Sequence, residues 1–184
     1  MSSHEPATST PLVRGAAATD ATAIGEVHAE AWRVAYADVF PPEALAVAVA
    51  QRRHTGTTLT ARLVADHEPR LKDGSTLLVV VVGGRVVGFA HCGSGPATTP
   101  PESEVHACYV HPEFWGTGAA QVLWTETLAT LPPASVAPRV LWTLAQAGRA
   151  RAFYERRGWV STGRRRDHDF GTGHVVPVVE YRSP

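Results

Sequence analysis

Apolar and polar positions alternate from Ser103 to Val110, and the pattern then changes period. Val105, Tyr109 and Val110 are strand formers; after His111-Pro112 the chain passes through Gly116-Thr117-Gly118. Beyond these glycines runs an apolar stripe of Ala120, Leu123, Trp124, Thr127, Leu128 and Leu131, at spacings of three and four. The pattern predicts a strand, a glycine turn and a helix in that order. Upstream, Leu12 to Ala16 reads as a short first strand. Thr19 or Asp20 can cap a helix with the stripe Ile24, Val27, His28, Ala31, Trp32, Ala35 and Tyr36. Pro41-Pro42 ends it, and Pro42 suits the first turn of a second helix carrying Ala44, Leu45, Val47 and Ala48. From Arg52 to Asp73 the periodicity is weak, and Leu59 to Asp66 is read as an extension of the helical region.

Thr76 to Val82 is an apolar β run, Gly83-Gly84 is a two-residue hairpin signal, and Arg85 to His91 returns. Gly93 to Pro101 is a loop by composition. Val140 to Leu144 reads as a buried strand and Arg149 to Arg157 as a helix stopped by Gly158. Trp159 to Gly163 begins another strand, Arg164 to Gly173 is polar enough to read as a loop, and Val175 to Tyr181 is the last strand. No internal repeat or second domain is evident. Residues 1–11, rich in Ser, Thr and Pro, are expected to be a disordered tail, and residues 12–184 one domain.

Composition narrows the function. The 17 basic and 17 acidic residues balance, which implies no general affinity for nucleic acid. No apolar run approaches a membrane span, and no signal-peptide core is visible. Cys92 and Cys108 sit in apolar strand-like runs and read as buried thiols, with a disulfide between neighbouring strands as the alternative. The expected location is cytoplasmic. The nine histidines show no metal-ligand spacing, so no metal is expected.

The strand, glycine turn and helix over Ser103 to Ala120 have the layout of an anion site. The first amides of a helix have no partner within it, and its dipole places roughly half a positive charge there. Glycines allow a phosphate to approach those amides. The turn lacks the Gly-Lys-Ser/Thr of a Walker loop and the third glycine of a Rossmann fingerprint.

With Val110-His111-Pro112-Glu113-Phe114-Trp115 before it, the turn resembles the acetyl-CoA loop of the GNAT N-acetyltransferase superfamily, Gln/Arg-x-x-Gly-x-Gly/Ala. The pattern falls on Trp115, Gly116, Thr117, Gly118, Ala119 and Ala120, with Trp115 in place of the usual Gln or Arg. The family's C-terminal signature is matched by Arg149 to Trp159, with Ala147 where many members carry an Asn. The element order β-α-α-β-β-β-α-β-α-β-β is also the family's. The resemblance implies a GNAT fold of the α/β (α+β) class. Its mixed central sheet would have about six to seven strands, flanked by about four helices and splayed between the fourth and fifth strands.

It also implies acetyl-CoA as co-substrate and an amine acceptor. Acetyl transfer to an amine requires phosphates held, the amine deprotonated, an oxyanion stabilised and a thiolate protonated. By resemblance, the amides of Gly116, Gly118, Ala119 and Ala120 hold the pyrophosphate, and the backbone of Cys108 and Val110 meets the pantetheine arm. Tyr154 matches the tyrosine that protonates the leaving sulfur. Glu104 is the first candidate for the base and His106 the second. Trp32, Tyr36 and Phe40, with Asp167, His168 and Asp169 from the late loop, are expected to line the acceptor site. The reading is an N-acetyltransferase for a small-molecule primary amine. Its alternatives are a protein N-terminus or lysine as acceptor, or a silent acyl-CoA-binding protein. Homodimers are common among relatives.

Overall fold

A computed structural model describes residues 9–95 and 101–184. The strands are β1 (Leu12–Gly15), β2 (Thr76–Val82), β3 (Arg85–Ser94), β4 (Ser103–Val110), β5 (Arg139–Leu144), β6 (Val160–Asp169) and β7 (Val175–Arg182). The helices are α1 (Ala21–Ala35), α2 (Pro42–Arg52), α3 (Thr55–Thr60), α4 (Ala119–Ala129) and α5 (Gly148–Glu155). They form one seven-stranded mixed sheet in the order β1-β2-β3-β4-β5-β7-β6, with helices on both faces. The expected element order is present, with the short α3 added.

Each element follows from its residues. Gly83 and Gly84 both take positive φ, 56° and 78°, the left-handed pair that a two-residue hairpin turn between β2 and β3 requires. The α1 stripe buries Ile24, Val27, Ala31 and Trp32 against the sheet. Asp20 precedes α1, but its carboxylate turns back to accept from the Ala17 amide at 2.8 Å and to pair with Arg14, so it does not cap the helix. Gly158 takes φ 78° just past α5, where a left-handed residue ends the helix.

Three expectations are corrected. Leu59 to Asp66 does not extend a helix: α3 ends at Thr60 and the chain turns, bridging Leu63 to Leu71. Strand β3 runs on to Ser94, so the expected loop from Gly93 begins later; residues 96–100 of that loop, like residues 1–8 of the expected tail, lie outside the described residues. Arg164 to Asp169 is strand, not loop. Strand β6 lies at the edge of the sheet, pairs only with β7 and is exposed almost throughout, so its residues show no buried face to read.

The feature that positions the site is the join between β4 and β5. The two strands run parallel and pair only where Ser103–Val105 meets Arg139–Leu141, then diverge. One face of the sheet packs against α1 and α2 through Trp32, Tyr36, Phe40 and Val178. The other packs against α4 and α5 through Trp124, Trp159 and Tyr181.

Candidate active site

A cavity of about 730 Å³ runs through the gap between β4 and β5. On the α4 side it is lined by Trp115, Gly116, Gly118, Ala120, Gln121 and Tyr154, and on the α1 side by Ala31, Tyr36, Tyr109, Trp142, Leu144 and Phe170.

The glycine turn presents free donors to one end. Gly118 has φ 92° and Gly116 φ 83°, conformations that L side chains avoid. A Cβ at either position would meet no other atom within 4 Å, so these glycines answer a backbone demand and leave open space before the turn. The Gln121 and Val122 amides donate to the Gly118 carbonyl, Thr117 to Phe114 and Trp115 to Pro112. The Gly116, Gly118, Ala119 and Ala120 amides have no such partner among the described residues. Four unpartnered amides at a helix N-terminus fit a pyrophosphate. Trp115 laces this turn to β4 by donating its Nε1 hydrogen to the Val110 carbonyl at 2.7 Å, and Arg149 lies 4.2 Å over its ring.

The open edge of β4 follows from its register. Gly88 pairs with Val110, and the His111 amide donates to the Val87 carbonyl, which makes Gly88–Val110 a non-hydrogen-bonded pair. By the same alternation Ala90–Cys108 is another. The amide and carbonyl of Cys108 and the amide of Val110 therefore point away from β3, into the gap, while the Val110 carbonyl on the same side is taken by the Trp115 indole. A ligand arm with amide groups fits there as an added strand.

A bulge separates these residues from the polar pair. His91 pairs with Ala107 and Cys92 with Val105, so His106 is the extra residue of β4. The bulge restores Tyr109 to the α1 face, where Glu104 also lies, and sends Cys108 to the α4 face. His106 lines the cavity, and its Nδ1 is 3.6 Å from a Glu104 carboxylate oxygen. The His106 ring also packs 4.9 Å from that of His91, whose Nε2 meets Ser75 Oγ at 2.9 Å. Ser75 Oγ donates to Asp73 at 2.6 Å. Burial and then His106 hold the His91 pKa down to about 4, so it stays neutral.

Tyr154 comes from α5 and its ring packs 5.2 Å from that of Trp124. Its hydroxyl has no hydrogen-bond partner among the described residues, and burial pushes its pKa upward, assisted by Cys108 and Tyr109. Burial likewise raises the Cys108 thiol to about 12. Both stay protonated at neutral pH. Cys92 and Cys108 are free thiols.

The expected acceptor residues divide. Tyr36 lines the cavity, but Trp32 and Phe40 are buried behind it in the packing of α1 and α2. Asp167, His168 and Asp169 lie on the edge strand β6 and none lines the cavity. Asp169 caps its own turn, accepting from the amides of Gly171, Thr172 and Gly173 at 2.9, 2.8 and 3.1 Å. In their place Tyr109, Trp142 and Phe170 form the wall, none of them singled out from sequence for it. Tyr109 carried a usable signal: on a bulged strand, it faces opposite to Cys108. Phe170 had none, because its neighbours read as a polar loop. Ala147 lines the cavity just before α5.

Among the described residues no helix is long and apolar enough to cross a membrane, and no cluster of three His, Cys, Asp or Glu could hold a metal ion.

A strand edge opened by a splay, with free amides on a glycine turn beside it, defines a fold and site class that comparison identifies. The model of the acetyltransferase (GNAT) family matches residues 29–159, well over half the chain, and the chain belongs to that family of acyltransferases. Its fold is similar to that of a GCN5-related N-acetyltransferase from Rhodopseudomonas palustris, with a TM-score of 0.71 at 22% identity, covering 97% of this chain and 98% of that one. The PaiA N-acetyltransferase from Thermoplasma acidophilum, solved in complex with coenzyme A, has a TM-score of 0.67 at 17% identity, with 93% and 98% covered. The ribosomal-protein-S18-alanine N-acetyltransferase from Escherichia coli has a TM-score of 0.63 at 16% identity, with 95% and 94% covered. Comparison with curated proteins finds no match.

Proposed function

We propose that this acyltransferase moves an acetyl group from acetyl-CoA to a primary amine of a small molecule, by direct attack in a ternary complex. The observation that carries the reading is the continuous cavity through the β4–β5 gap, with four free amides at one end and aromatic walls at the other. Bound acetyl-CoA supplies the thioester that the amine attacks and the thiolate that leaves.

The amides of Gly116, Gly118, Ala119 and Ala120 bind the pyrophosphate, with Trp115 and Thr117 holding the shape of the turn. The Cys108 backbone pairs with the pantetheine arm, and the Val110 amide donates to the thioester oxygen, where negative charge develops. An alkyl ammonium has a pKa near that of lysine, about 10.4, so at neutral pH almost all of it must lose a proton before attack. His106 accepts that proton and Glu104 orients its ring. The Tyr154 hydroxyl, kept protonated by burial, donates to the departing sulfur. The free Cys92 and Cys108 thiols support a reducing, cytoplasmic setting.

The test is coenzyme A release from acetyl-CoA, followed by a thiol reagent across a panel of amines, with acetylated products identified by mass spectrometry. Amine-dependent release is expected. Calorimetric binding of acetyl-CoA without release for any amine would make the chain a silent acyl-CoA binder. Release only with peptides bearing a free N-terminus or lysine would move the acceptor to proteins.

A further inference from the structure

We propose that the acceptor is a monoamine built on an aromatic or bulky apolar body, and that the site rejects polyamines. This rests on the acetyl-transfer reading above and concerns the α1-side end of the same cavity.

That end is walled by Tyr36, Tyr109, Trp142 and Phe170, with Ala31 and Leu144. Among the described residues no aspartate or glutamate lines the cavity anywhere. The carboxylates nearby in the fold are already engaged. Glu180 is fully buried and accepts from Arg164 Nη1 at 2.9 Å and Thr162 Oγ1 at 2.8 Å. Asp169 caps its turn, and Glu104 sits beside His106.

Positive charge, by contrast, is built in. The Arg52 guanidinium stacks 3.7 Å over the Trp32 ring and donates to the carbonyls of Ala48 and Phe170. It has no carboxylate within ion-pair distance among the described residues, and burial lowers its pKa. Arg166 lies 4.2 Å over Trp142 and so occupies one face of the best cation-binding ring in the wall. The Tyr109 hydroxyl accepts from Trp32 Nε1 at 3.2 Å, and burial raises the pKa values of both Tyr36 and Tyr109. They remain neutral phenols.

A wall backed by these charges discriminates in a definite direction. A second ammonium on the acceptor would meet no anion in this wall and would feel the Arg52 and Arg166 guanidinium groups that stand behind it, over the Trp32 and Trp142 rings, a long-range repulsion with nothing to offset it. The reacting amine does not need an anion, because it attacks as the free base, and an anion-free wall favours that form. The rest of the acceptor finds four aromatic faces, which reward apolar and aromatic surface.

The experiment uses 2-phenylethylamine and spermidine with the full chain, read two ways. Binding to the protein saturated with coenzyme A is measured by calorimetry, and acetylation by kcat/KM. We expect 2-phenylethylamine to bind at least about tenfold more tightly than spermidine and to be the better substrate. Phe170→Ala should lose about tenfold in phenylethylamine affinity, and Ala35→Asp, which adds a carboxylate on an exposed position of the cavity rim, should narrow the gap to spermidine. Binding of 2-phenylethylamine without its acetylation would uphold this acceptor class and sink the acetyl-transfer reading. Preference for spermidine, failure of both amines to bind, or a Phe170→Ala variant that binds like wild type would each overturn the proposal.

Discussion

Nδ1 of His106 lies 3.6 Å from the carboxylate of Glu104, two residues before it on β4, and the bulge at His106 brings Tyr109 to the face where Glu104 lies. Only the histidine of the pair lines the cavity. A carboxylate behind an imidazole orients the ring. His106→Gln should therefore lower kcat by about a hundredfold or more, the usual contribution of a positioned base. Glu104→Gln should cost less, since the imidazole remains, and acetyl-CoA binding by calorimetry should hold in both. An inactive Glu104→Gln beside an active His106→Gln would exchange the two roles.

Tyr154 offers a different signature. Its hydroxyl is unpartnered among the described residues, and burial among Trp124, Cys108 and Tyr109 keeps its proton on well above neutral pH. Tyr154→Phe preserves the ring packing and removes the proton. We expect kcat to fall about a hundredfold with little change in the KM for acetyl-CoA. Because burial raises its pKa, the wild-type rate should show no descending limb at the ordinary tyrosine value of about 10. A wild-type rate in the Phe variant, with chemistry limiting, would return Tyr154 to a packing role.

Gly118 tests the phosphate turn. At φ 92° an added Cβ is strained by about 1–2 kcal/mol, and its methyl would project where no protein atom lies within 4 Å. Gly118→Ala should thus lower thermal stability modestly while weakening acetyl-CoA binding by about tenfold, because the amides of Gly118 and Ala119 lose their aim. Unchanged affinity in the folded variant would remove this turn from the cofactor site.

The parts of the molecule legible in the sequence are those with a local signal. The alternation before His111, the positive-φ glycines and the period-three-to-four stripe after them lie within one short stretch, and each survives in β4, the turn and α4. The β2–β3 hairpin was legible through Gly83-Gly84 for the same reason. Strand β6 was not, because Arg164, Arg165 and Arg166 are exposed on an edge that buries neither face, and only pairing with β7 makes them a strand. The acceptor wall was legible only at Tyr36. Tyr109, Trp142 and Phe170 come from β4, β5 and the β6–β7 turn, and no spacing along the chain relates residues gathered by the splay. The link from Asp73 through Ser75 and His91 to His106 was hidden in the same way, running from the turn before β2 to β3 and β4.

Two half-buried histidines are expected to set the acid limit of stability. His28 packs 4.4 Å from the Tyr109 ring and 5.4 Å from Phe89, and its Nδ1 meets Thr55 Oγ1 at 2.9 Å. Burial, with Arg52 second, lowers its pKa to about 3. His91 is lowered to about 4, by burial first and then by His106 and Arg62, with Asp73 opposing. In the unfolded chain both return to about 6.5. A depressed native pKa means that the contribution is full above about pH 6.5 and lost as pH falls toward the native values, because the unfolded chain then binds the extra protons. Each such proton steepens the fall by about 1.4 kcal/mol per pH unit. The carboxylates Asp20 and Asp169, held below their ordinary range, act only at lower pH, so the window from pH 6.5 to pH 5 isolates the histidines. Urea unfolding across that window should show stability dropping with pH. His28→Gln should start lower at pH 7.5 and flatten the slope by about one proton. A wild-type stability that stays level from pH 7 to pH 5 would mean that neither imidazole is held neutral by the fold.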